Sequence, residues 1–195
     1  MNLPLASTLN ASIASSRLFT KLSGELRNII WKFALIQANE IHFTNHGFQE
    51  PGLLTTCRLV RAEAASTFYH EYKIHLICES YDTTAVLLLE RKFKLVGLLI
   101  EQSASDGRVL LKMTGGPYWQ NWLLWLRRVH SLTTGCSPGE IGNDDFESMA
   151  LRAISLTVTA MCTKRWSKVE EILKLHRPML IKCNSAWGLD HDQDG

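Results

Sequence analysis

Paired cysteines, long apolar runs and an excess of one charge are all missing from this sequence. Its five cysteines, Cys57, Cys78, Cys136, Cys162 and Cys183, are odd in number, widely spaced and never arranged as CxxC. That speaks against a disulfide framework and fits reduced thiols in an intracellular compartment, the cytoplasm or nucleus. The longest apolar runs, 85–89 and 95–100, fall far short of the ~20 residues that span a bilayer. The opening MNLPLASTLNASIASSR has neither a basic start nor a continuous apolar stretch, so it does not read as a secretory signal. Lys and Arg number 21 against 19 Asp and Glu, a formal net charge of +2. Nucleic-acid and membrane-surface binders usually carry a strong basic excess, so neither partner is expected.

Recognisable catalytic and metal patterns are also missing. No GxxxxGK[ST] loop, GxSxG elbow or HExxH helix occurs. GCSPGEIG, residues 135–142, has three glycines, but no Lys follows and no βαβ unit surrounds it. His42 and His46 are four apart, yet Gly47 and a strand-like context break any helical ligand face. Structural zinc sites usually bring close ligand pairs, so a strand histidine and a loop histidine are the plainer reading. The run Arg91, Lys92, Lys94 reads as a solvated helix face. The expectation is therefore a non-enzymatic protein with no catalytic residue, no metal and no cofactor.

What is present is helical periodicity broken by short β-prone stretches. The 195 residues suit one domain and can bury a core without metals or disulfides. Residues 1–16 read as a loosely ordered arm, 17–187 as one domain and 188–195 as a frayed acidic tail. Ser23 offers an N-cap, with Glu25 favourable near the positive helix end, and the periodicity predicts a helix over about 23–37. Residues 40–44 alternate as a strand, 45–52 form a loop, and a second helix follows over about 52–70. KIHLIC, 73–78, and RVLLKM, 108–113, have strand propensity on either side of a helix at 83–102. Pro117 is placed to start a helix running to 132, and Asn143 or Asp144 to cap one reaching Met161. Ser167 and Glu170 form a capping box for a last helix closed before Pro178. The fold class expected is α+β: a mostly helical single domain with a small, about three-stranded sheet packed on helices.

Two features carry the functional reading. Trp119, Trp122 and Trp125 repeat every third residue, and core packing is the expected role, with Trp122 most buried and at least one flanking ring at the surface. The first two helices are expected to pack together. There, Glu25 paired with Arg58 or Arg61 would fix their crossing.

LSGELRNIIWKFAL resembles the opening helix of a large F-box-like group of filamentous fungi, with Leu22, Glu25, Leu26, Arg27, Asn28, Ile30 and Trp31 on the shared pattern. A second signature lands on Leu53, Leu54, Cys57, Arg58, Arg61, Glu63, Ala64, Phe68 and Tyr69, followed by the strand KIHLIC. The group is close to the domain described by two Glu-x-Arg motifs. Only Glu25-Leu26-Arg27 has that form here; Arg61-Ala62-Glu63 is reversed, and Ser23 stands where the family has Pro. The resemblance covers about 17–78. It implies a helical protein-recognition module with apolar face Leu22, Leu26, Ile29 and Ile30, and the chain is expected to be a monomer. The implied partner is the Skp adaptor of a cullin ubiquitin ligase. The alternative is the same fold acting as a structural or regulatory binder without Skp contact.

Overall fold

The computed structural model describes residues 16–35, 40–132, 134 and 145–189. Of the expected arm at 1–16 all but Ser16 lies outside these, as do the end of the first helix at Gln37, the glycine-rich loop at 135–143 and the last residues of the tail. A short helix, α1 (Arg17–Lys21), leads into α2 (Gly24–Leu35). Then come β1 (Ile41–Phe43), α3 (Gly52–Thr56), α4 (Arg58–Glu71), β2 (Ile74–Glu79), α5 (Thr84–Leu95), α6 (Ile100–Ser105) and β3 (Val109–Thr114). The chain continues through α7 (Trp119–His130), α8 (Phe146–Ala160), α9 (Trp166–Cys183) and a 3₁₀ turn, Ser185–Gly188. The architecture is mostly helical, with one small three-stranded sheet packed against helices.

The strands lie in the order β1-β2-β3 and pair in parallel throughout. Parallel pairing needs a long return connection, supplied by α3–α4 and then α5–α6. Crossovers of one hand stepping in one direction put both helical connections on the same face of the sheet. Phe43, Ile74, Leu76, Cys78 and Val109 are buried there with Phe68 of α4 and Val86 and Leu89 of α5. The opposite face carries the exposed His42, Leu110 and Lys112 and, on the central strand, the half-buried His75 and Ile77, so it is only partly covered, unlike most parallel sheets. Burial pushes the Cys78 thiol up to about 12, with nearby Asp82 adding to the effect.

Several expected boundaries move, each for a local reason. The second helix is two helices, because Cys57 adopts an extended backbone (φ −157°) and its sulfur caps α4 by accepting from the Val60 N–H. The helix expected at 83–102 breaks at Gly97, whose φ of +73° suits glycine. Pro117 stands just outside α7, which begins at Trp119. Asp145 caps α8, accepting from the Ser148 N–H at 2.7 Å, while the expected caps Asn143 and Asp144 lie outside the described residues. The Ser167 capping box does not form, since α9 already begins at Trp166. Pro178 lies inside α9, at an exposed position, rather than beyond its end.

The tryptophan helix departs most from expectation. Trp119, Trp122 and Trp125 are all buried, and none reaches the surface. The reason is that α7 lies between two apolar clusters. Trp125 faces the sheet-side core, while Trp119 and Trp122 face α8, α9 and Trp187. Trp187 sits 5.5 Å from the Trp122 ring centre, and its indole N–H donates to Glu147 at 2.7 Å. Tyr81, between Trp125 and Trp187, joins the clusters.

Candidate protein-docking site

Helix α2 is amphipathic, but its apolar stripe faces outward. Steps of four place Arg27, Trp31 and Leu35 on one face, where Trp31 and Leu35 are buried. The opposite face presents Leu26, Ile29, Ile30 and Phe33, the i, i+3, i+4, i+7 pattern of a helix stripe that packs against something. Leu26 and Ile29 are half exposed, Ile30 is 38% exposed and Phe33 is 84% exposed. Leu22, expected on the same face, is half-buried at the turn before the helix.

Two ion pairs position this helix against α4. Arg27 donates two parallel hydrogen bonds to the Glu63 carboxylate, both at 2.8 Å. Its third nitrogen donates to the Leu22 carbonyl at 2.7 Å, and its guanidinium lies 5.3 Å from the Phe19 ring centre of α1. The hydrogen bonds from Arg27 hold the Glu63 carboxyl below its ordinary range against the opposing effect of burial. One face further along, Lys32 meets Glu71 at 2.7 Å. Between the two helices runs a shallow groove of about 380 Å³ bordered by Ile29, Lys32, Ser66 and His70.

The expected pairing of Glu25 with Arg58 or Arg61 does not form. Glu25 is exposed, and its carboxyl is held low by a hydrogen bond from Ser23 at its own helix start. Arg58 is exposed in the first turn of α4. Arg61 points away from α2, because two residues along a helix is a turn of about 200° from Glu63. It meets Glu50 instead, with bonds of 2.7 and 3.1 Å.

Glu50 is the polar centre that sequence reasoning missed. It lies in the loop before α3, where no periodicity marks a residue as buried, yet its side chain is only 9% exposed. Arg61, Lys92 and the Tyr69 hydroxyl all donate to it, the last at 2.9 Å. Burial opposes ionisation of Glu50, but the three donors together outweigh it and hold its pKa at about 2. Burial, reinforced by Glu50, raises the Tyr69 phenol well above its ordinary value. Lys92 is thus not on a solvated face: it is half-buried, bonded to Glu50 and 5.7 Å from the Phe48 ring centre. The single Glu50 carboxylate is matched by two cations and a phenol, which leaves the cluster with one excess positive charge and ties the loop to α4 and α5.

Among the described residues no three His, Cys, Asp or Glu side chains gather as metal ligands. His42 stacks on His75 across β1 and β2 at 5.5 Å, without His46. No described helix is long and apolar enough to cross a membrane. No family model matches the chain, and no curated protein or solved structure does either.

Proposed function

We propose that the chain is an intracellular, non-enzymatic, F-box-like interaction module that docks a protein partner along the outer face of α2. The observation that carries this reading is the exposed stripe Leu26, Ile29, Ile30 and Phe33 on a helix whose orientation is locked by Arg27 and Glu63. Four large apolar side chains in water are costly to leave uncovered, and a contiguous apolar patch is a recurrent mark of a docking surface. A stripe of this spacing fits another helix laid along it, ridge into groove. The resemblance of residues 17–78 to F-box-like proteins names the Skp adaptor as that partner.

The test is titration calorimetry of the purified chain with purified Skp adaptor. Binding is expected for the natural sequence and its loss for Leu26→Glu combined with Ile30→Glu. Both positions are exposed, so circular dichroism should show the variant folded. If the natural sequence does not bind Skp, the ligase-adaptor role falls. The stripe is then left to a regulatory partner without Skp contact.

A further inference from the structure

A second exposed apolar face lies on α8. Its inner face, Ala150, Leu151, Ile154 and Val158, is buried against α7 and α9. Its outer face carries Phe146, Met149, Ala153, Leu156 and Ala160, all exposed, with Leu156 at 65%. Their spacing alternates three and four residues, the seam of a two-helix contact. On one side a polar stripe of Ser148, Arg152 and Thr159 separates this outer apolar face from the buried one, so α8 carries two apolar faces and only one of them is covered. No described residue covers it.

The helix complements itself end for end. Its first half presents the bulky Phe146 and Met149, its second half Leu156 and the small Ala160, with the small Ala153 at the centre. Two copies laid antiparallel about Ala153 bring Phe146 of one against Ala160 of the other. The charges at the ends agree. Asp145 is exposed where α8 begins, while Lys164 and Arg165 are exposed just beyond its end. Antiparallel pairing brings the acidic start of one helix to the basic end of the other and opposes the two helix dipoles favourably. Parallel pairing would set like charges together.

We infer that α8 is a homodimerisation surface, taking a second copy of this chain in an antiparallel helix pair. It is separate from the α2 stripe and does not depend on that stripe's partner. A contact about four turns long is smaller than a standard stable interface, so the association belongs in the range of ~10–100 μM.

Sedimentation equilibrium over about 5–500 μM reads this directly. The natural chain is expected to shift from monomer to dimer across that range. Met149→Glu with Leu156→Glu should remain monomeric throughout. Lys164→Glu should weaken the dimer several-fold, and added salt should weaken the natural dimer in the same direction. Leu26→Glu with Ile30→Glu, on α2, should leave self-association unchanged. A chain monomeric at every concentration overturns the proposal and leaves the α8 face to a partner of another kind. A dimer that survives the double substitution on α8, with the variant folded by circular dichroism, overturns it equally.

Discussion

Arg27 and Glu63, 36 residues apart, close a two-pronged ion pair that sets the crossing of α2 and α4. Arg27 also holds the Leu22 carbonyl and lies over Phe19, so one guanidinium fixes α1, the turn after it and two helices. A planar fork can do this and a lysine ammonium cannot. Arg27→Lys and Glu63→Gln should each lower the midpoint of thermal unfolding, while Glu25→Gln should leave it in place. Equal effects from all three in a melting experiment would contradict the assignment.

The Glu50 cluster predicts an acid limb. Its pKa in the folded chain, about 2, lies below the ordinary carboxyl value of 4.5. Between those values the unfolded chain binds the extra proton. The stabilisation is therefore complete above about pH 5 and is lost as pH falls through 4.5 toward 2, to the order of 3 kcal/mol. Denaturant unfolding as a function of pH checks this. Glu50→Gln should lower stability at neutral pH and flatten the acid limb.

The three tryptophans of α7 should all behave as core residues. Trp125→Ala and Trp122→Ala should each cost ~3–5 kcal/mol, as truncations of large buried aromatics do. Leu124→Ala, at an exposed position on the same helix, should change stability by less than about 0.5 kcal/mol. Comparable losses at positions 124 and 125 in a urea titration would show that α7 is packed differently.

Two glycines separate strain from crowding. Gly97 and Gly115 both have positive φ, +73° and +72°. A Cβ at Gly97 would meet open space, whereas one at Gly115 would approach the Ser80 hydroxyl to 2.9 Å. Gly97→Ala should cost about 1 kcal/mol from backbone strain alone, and Gly115→Ala somewhat more. Adding Ser80→Ala to Gly115→Ala should recover the difference and not the strain. An equal cost at both sites would show that Ser80 swings aside freely.

The sequence by itself determined the class of fold, the approximate place of every strand and the two apolar stripes of the first helices. Those features follow from periodicity along the chain, which any local stretch displays. It could not say which stripe faced inward. Leu26, Ile29, Ile30 and Phe33 look as core-like as any residues in the chain, and only the packing of α4 against Arg27, Trp31 and Leu35 turned them outward. Charge partners were equally out of reach. Glu25 and Arg61 share a plausible neighbourhood in sequence terms, yet the choice of Glu63 for Arg27 depends on the rotation of α4 about its axis. A shift of two residues there reverses which side chain faces the neighbour. Glu50 left no periodic signal, because loop residues are buried by the elements that happen to close over them. The spacing of the tryptophans predicts at least one of Trp119 and Trp125 at the surface. Tertiary structure placed an apolar cluster on each of two sides of α7, which covers all three rings and leaves Gln120, Leu124 and Arg127 on the exposed side.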